Sequence, residues 1–300
     1  MKRAPVPFVF LNLLWVCAVV CVAETTESAW VLQVRSALVR NDLQSAIQDA
    51  RRGIQQYPGS VALYQLLGGA LFRSGASQDA RAAFQKAIDL APQEPLNYFN
   101  LARVDLSLNR FDDVVMSLTT FLKSDPRDAE AHVLLGRAYH NLNKTLLGIE
   151  QFQAGLAIDD RLPLAHFHLG YALLSLGNSE AALVEFRKEM AISPAFDTPY
   201  WMAGDIEVSR GNLKDAEDLY RKAVALNPRV FQPHYGLGRV LSRSSRPTEA
   251  ETEFQTALQY SPGSVETHYA LGRLYHQMGK PQEAQKQFQI VSNLHSQARP

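Results

Sequence analysis

VETHYALGRLYHQMGKPQEAQKQFQIVSNLHSQA, residues 265–298, is the last copy of a 34-residue pattern that the chain writes eight times without an insertion or deletion. The units are 27–60, 61–94, 95–128, 129–162, 163–196, 197–230, 231–264 and 265–298. Their eighth residues are Val34, Gly68, Ala102, Gly136, Gly170, Gly204, Gly238 and Gly272. Position twenty is Ala46, Ala80, Val114, Gly148, Ala182, Ala216, Ala250 and Ala284. Position twenty-four, from the second unit on, is Phe84, Leu118, Phe152, Phe186, Tyr220, Phe254 and Phe288. A period of this size means that one unit is a supersecondary element unable to bury its apolar face alone, so that neighbours stack into a solenoid.

Each unit holds two helical stretches. In the second unit Tyr64, Leu67, Gly68 and Leu71 fall on one side of the first, and Ala80, Phe84, Ala87 and Ile88 on one side of the second, both at helical spacing. Position fifteen, between them, is Asn41, Gly75, Asn109, Asn143, Gly177, Gly211, Ser245 and Gly279. Gly and Asn tolerate the left-handed conformation that ends a helix. Pro58, Pro92, Pro126, Pro194, Pro228 and Pro262 close their units, because proline cannot continue a helix interior. The small residues at eight and twenty predict close approach of the two backbones, with position twenty-four filling the gap towards the next unit.

These positions resemble the tetratricopeptide repeat, whose pattern asks for an aromatic at four, Leu-Gly at seven and eight, Tyr at eleven, Ala at twenty, Phe or Tyr at twenty-four and Pro at thirty-two. His268, Leu271-Gly272, Tyr275, Ala284 and Phe288 of the last unit follow it closely. The resemblance implies an all-α, right-handed superhelical solenoid of eight helix hairpins. Asp105, Glu189 and Glu207 depart from it, placing carboxylates where apolar residues belong, and buried carboxylates need partners. A salt bridge or an edge position is the expected explanation.

Ahead of the repeats, residues 1–23 read as a secretory signal peptide, leaving 24–300 as the repeat domain. Lys2 and Arg3 start it, Phe8 to Ala23 is almost wholly apolar, and Cys21-Val22-Ala23 supplies small residues for cleavage before Glu24. The apolar run is short beside the roughly 20 residues of a spanning helix. Retention as a membrane anchor and acylation at Cys21 are the alternative fates of the leader. Both cysteines, Cys17 and Cys21, lie within it, so a processed chain has no disulfide and no Cys-based metal site. Such a chain carries 28 basic against 30 acidic residues, a balance that gives no general affinity for nucleic-acid phosphates. Periplasm or cell envelope is the expected setting.

Signals of chemistry are few. The imidazoles of His166-Phe167-His168 stand two residues apart, which on a helix turns them to different faces. His132, His166, His234 and His268 all occupy position four, the aromatic packing site of the repeat, so packing is their expected role. No His-Glu-x-x-His, glycine-rich phosphate loop or nucleophile elbow occurs. The expectation is a protein that is not an enzyme and takes no cofactor and no metal.

The informative residues are those that packing leaves over. The resemblance implies that the first helix of each unit lines a concave groove, with positions two, five, nine and twelve facing in; spacings of three and four keep these on one stripe. Aromatics and arginines gather there: Phe99, Arg103, Arg137, Phe167, Trp201, Tyr235, Arg239, Tyr269 and Arg273. Both residue types are enriched at binding surfaces. Covering the seams between units is the competing role of the position-five rings. Glu130, Asp205 and Glu266 are candidate partners for the arginines, Arg239 with Asp205 above all. No unit has Lys at five or Asn at nine, so the subtype that clamps acidic C-termini of chaperones is not supported. The reading is a scaffold outside the cytoplasm that binds a segment of another protein in its groove. A glycan-binding module, stacking Trp201, Tyr235 and Tyr269 on sugar rings, and an accessory subunit of an envelope enzyme are the alternatives.

Overall fold

The computed structural model describes residues 26–297; the leader, with Cys17 and Cys21, lies outside the described residues. Among the described residues there are sixteen α-helices and no strand. They are α1 Glu27–Val39, α2 Leu43–Gln56, α3 Val61–Arg73, α4 Ser77–Leu90, α5 Pro95–Ser107, α6 Phe111–Ser124, α7 Ala129–Asn141 and α8 Thr145–Ile158. The second half follows as α9 Ala165–Ser175, α10 Ser179–Ile192, α11 Thr198–Arg210, α12 Leu213–Leu226, α13 Phe231–Arg243, α14 Pro247–Tyr260, α15 Val265–Gln277 and α16 Pro281–Gln297. Consecutive helices pair, and the eight hairpins stack as a right-handed superhelical solenoid. Among the described residues no helix is long and apolar enough to cross a membrane.

Every hairpin turn uses the left-handed region at position fifteen. Asn41, Asn109, Asn143 and Ser245 have φ between 57° and 59°, and Gly75, Gly177, Gly211 and Gly279 between 71° and 85°. The reversal is thus built into one residue per unit, whose short or absent side chain tolerates it.

Inside each hairpin the volumes at positions eight and twenty-four are matched. In six units glycine faces a ring: a Cβ built on Gly68 would lie 2.8 Å from Phe84, and one on Gly238 2.7 Å from Phe254. The third unit pairs Ala102 with Leu118, and the first inverts the sizes with Val34 against Ala50, all four fully buried. As one side grows the other shrinks, which is how a close-packed interior keeps its density. The ring at twenty-four therefore packs on its own hairpin first, and reaches the next unit second, as Tyr220 does where it also meets Gly236. In the fourth unit the backbones come closest, since a Cβ on Gly136 would meet the carbonyl oxygen of Gly148 at 2.9 Å as well as Phe152.

Position four joins successive units. Tyr98 and Tyr200 donate their hydroxyls to the carbonyls of Pro92 and Pro194, at 3.1 and 3.2 Å. The four histidines place Nε2 against the equivalent carbonyls of Pro126, Asp160, Pro228 and Pro262, between 2.9 and 3.2 Å. Asp160, which stands where six of the units close with proline, still supplies its carbonyl. Position four thus wants a ring with a polar tip, and the histidines there are structural. His166 and His234 also turn Nδ1 to the carboxylates of Glu185 and Glu253. At His234 both nitrogens thus face acceptors, an arrangement that favours the form donating from both.

The three unexpected carboxylates find partners within the chain, although one buried oxygen of Asp105 has none among the described residues. Glu207, 1% exposed, receives Arg187 at 2.8 Å, Asn212 at 2.7 Å and Arg210 at 3.3 Å. Glu189 reaches from α10 to the start of α9, accepting the backbone N–H groups of Leu164 at 2.9 Å and Phe167 at 3.3 Å. That helix begins late, after Leu164 in the left-handed conformation, and the carboxylate stands in for the missing N-cap. Asp105 takes Arg81 at 2.6 Å on one oxygen, while its other oxygen has no partner; burial raises its pKa against the pull of Arg81.

Two predictions follow from this packing. Gly68→Ala gains about 1 kcal/mol of helix propensity but forces its Cβ on the Phe84 ring, a strain of about 1–3 kcal/mol. Alone it destabilises; combined with Phe84→Leu, which copies the Ala102–Leu118 pair, the sign reverses. Urea denaturation of the double-mutant cycle reads the coupling, and additive effects would contradict the matched-volume account. The second concerns His234. Burial pulls its pKa down, but the Glu253 hydrogen bond, the Pro228 carbonyl and the Glu253 charge together raise it above the usual value. A raised folded pKa means that the ion pair's stability is complete below the unfolded value of about 6.5 and is lost as pH rises through the folded one. Glu253→Gln flattens that part of the stability profile.

Candidate functional site

Odd-numbered helices touch the next odd-numbered helix, α1 with α3, α3 with α5, α5 with α7, α7 with α9, α11 with α13 and α13 with α15, whereas even-numbered helices have no comparable contact with one another. The odd helices therefore crowd on the inside of the curve and the even ones fan out. The concave wall is made of odd helices, and its side chains come from positions two, five, nine and twelve.

Between α13 and α15 this wall opens into a cleft of about 510 Å³ that brings together Tyr235, Arg239, Tyr269 and Arg273, with Arg243 and Glu266 on its rim. The Arg239 guanidinium lies 5.5 Å from the centre of the Tyr235 ring, within cation–π range. Phe231 stacks on Tyr235 at 5.7 Å, so the ring is held from both ends of the helix turn. Tyr269 is 51% exposed and rests an edge on Phe288. Among the described residues Arg239, Arg243 and Arg273 form no ion pair, although Glu266 shares their cleft.

The other candidates divide. Arg103 pairs loosely with Glu130 at 3.9 Å, in a cleft that Arg137 also borders. Arg137 and Phe167 line a third cleft, of about 440 Å³, with His140, His168 and Tyr171. Phe99 belongs to the core: it is 8% exposed, with its ring 5.1 Å from Phe121, because position twenty-seven of its unit offers a ring to pack on. Trp201 is half-buried and packs against core residues of the sixth and seventh units at once, so it closes a seam. The Arg239–Asp205 pair does not form; Asp205 instead accepts the buried Tyr220 hydroxyl at 2.7 Å. Solvent reaches Asp205 from the groove, yet the protein crowding its carboxylate raises its pKa, against the Tyr220 hydrogen bond and the Arg239 charge.

His168 is the residue that sequence reasoning passed over. The helical argument was right that it diverges from His166, but the face it turns to is the groove. Its signal was compositional: position six is Leu32, Leu66, Asn100, Leu134, Met202, Gly236 and Ala270 in the other units, and only the fifth puts a titratable group there. Among the described residues no group of three or more His, Cys, Asp or Glu could hold a metal ion.

Comparison with known proteins gives matches along the chain. A tetratricopeptide-repeat family model matches residues 31–95, 99–163 and 201–265, and two others with the same description match 242–299 and 163–188. Mouse tetratricopeptide repeat protein 16 is 25% identical over 137 residues, 43% of this chain and 18% of its own length. The chain thus spans less than a fifth of that curated relative. Among solved structures, a tetratricopeptide repeat protein from Parabacteroides merdae superposes with a TM-score of 0.62 at 17% identity, covering 83% of this chain and 98% of that one. YrrB, described as a protein of this repeat class with an unusual peptide-binding site, gives 0.54 at 17% identity over 60% of this chain and 93% of its own. At such identities the likeness is one of fold.

Proposed function

The chain belongs to the tetratricopeptide-repeat family, and on that premise we propose that it is a non-catalytic scaffold which holds a segment of another protein in its concave groove, outside the cytoplasm. The observation that carries this reading is the cleft between α13 and α15. Tyr269, Arg243 and Arg273 are exposed there, Tyr235 and Arg239 are half-buried, and among the described residues none of the three arginines has an ion pair. Large amphipathic rings and guanidinium groups are the side chains that dominate binding energy at protein interfaces. An extended or helical segment carrying acidic and apolar residues suits them, through charge-assisted contacts to Arg and ring packing. The peptide-binding site described for YrrB supports the reading by showing that this fold serves such a purpose elsewhere.

Export rests on the composition of residues 1–23, with Glu24 as the proposed first residue of the processed chain. N-terminal sequencing decides it. An acylated Cys21 at the start would replace the free form by a membrane-bound one, and an intact Met1 would favour a retained anchor.

Partner capture from an envelope extract, read by mass spectrometry, tests the groove. Arg239→Ala with Tyr269→Ala removes side chains that the fold does not use; each truncation at an interface centre costs about 2 kcal/mol or more. Capture should fall steeply while helical content and the melting profile hold. Lys86→Ala and Lys222→Ala, on the outer helices, should leave it unchanged. Trp201→Ala is a poorer probe, since its ring closes a seam and its loss disturbs the stack. Undiminished capture by the groove variant would move the binding face elsewhere, and retention of polysaccharide in place of protein would favour the glycan reading.

A further inference from the structure

The cleft between α7 and α9 differs in kind from the one near the C-terminal end. Its floor is apolar, made by Phe152 and Phe167, and its walls carry Arg137, His140, His168 and Tyr171, with Asn141 and Asn143 at the mouth. Arg137 is half-buried, and among the described residues its guanidinium has neither an ion pair nor a hydrogen-bond acceptor. Burial alone lowers its pKa, with no carboxylate close enough to oppose the effect. Glu130, in the neighbouring cleft, is turned to Arg103.

The two imidazoles share that condition. His168 stacks on Phe152, with ring centres 6.0 Å apart, and its nitrogens have no partner among the described residues. Its pKa falls to about 3, through burial and then the nearby charges of Arg137 and His140. His140, whose pKa burial also lowers, meets only the Thr145 hydroxyl at 3.3 Å and the Tyr171 ring at 5.5 Å. No Asp or Glu lines this cleft. A desolvated guanidinium without a counter-charge costs free energy that a bound anion would return.

We propose that the cleft of Arg137, His140 and His168 is a carboxylate subsite of the groove, taking an acidic side chain whose aliphatic stem lies on Phe152 and Phe167. The inference rests on the groove being a binding face. One full positive charge with neutral donors around it matches a monoanion; a phosphate would bring nearly two negative charges against one. The five fixed N–H donors of arginine suit the two oxygens of a carboxylate. Bound there, the anion accepts from the Arg137 fork and from the neutral imidazoles of His140 and His168.

Butyrate, which has the same head and stem, serves as the probe, with butyramide as its neutral counterpart. In the full chain, butyrate should saturably shift the NMR signals of the His168 ring and the Arg137 Nε–H, at least tenfold more tightly than butyramide. Arg137→Gln should abolish that preference, and Arg137→Lys, which keeps the charge and loses the fork, should retain part of it. Equal binding of the two probes, or a preference that survives Arg137→Gln, overturns the proposal. Inorganic phosphate binding more tightly than butyrate overturns the choice of a carboxylate. The outcome separates from the groove reading: if the subsite fails while Arg239 and Tyr269 still govern capture, only the subsite is wrong. If butyrate binds at Arg137 while groove variants capture normally, the subsite stands and the groove reading falls.

Discussion

The structure depends on a volume constraint inside each hairpin, where the residue at position eight and the residue at position twenty-four have to share one fixed space. Gly with a ring, Ala102 with Leu118 and Val34 with Ala50 are three solutions of the same packing problem. Because the two helices of a hairpin approach so closely, each unit becomes a rigid wedge. Stacking such wedges puts odd helices on the inside and even helices on the outside. The groove, its lining positions and the division between binding and packing residues all follow from that geometry.

Much of this is legible in the sequence because it repeats. Eight copies expose the small residues at eight, the left-handed residue at fifteen and the ring at twenty-four, and the structure places each as the periodicity requires. What the pattern cannot convey is how a departure is accommodated. Asp105, Glu189 and Glu207 read alike as misplaced carboxylates, yet one pairs with an arginine from the preceding unit, one caps a late-starting helix and one collects two arginines and an amide. Arg81, Arg187 and the amides of Leu164 and Phe167 lie twenty or more residues from the carboxylates they serve, and no local spacing points to them.

The groove shows the same division. Position five carries the aromatic stripe in the sequence, but a stripe does not say which rings are covered. Phe99 packs on Phe121 of its own unit and Trp201 against two core clusters, so packing claims both rings. Tyr235 and Tyr269 line the cleft between α13 and α15. Charges were harder still to assign. Of the groove arginines for which carboxylate partners were expected, Arg103 meets Glu130 at 3.9 Å, whereas Arg137, Arg239 and Arg273 are free of ion pairs among the described residues. The charges of Arg137, Arg239 and Arg273 are thus left without ion pairs on the concave side, as a binding face for an acidic segment requires.

The central claim is that odd helices bind and even helices pack. Tyrosine nitration with and without a captured partner tests it directly, since Tyr171 and Tyr269 stand exposed on α9 and α15 while Tyr260 stands exposed at the end of α14. The account predicts that the partner protects Tyr171 and Tyr269 and leaves Tyr260 as reactive as before. Protection of Tyr260 with no change at the two groove tyrosines would contradict it.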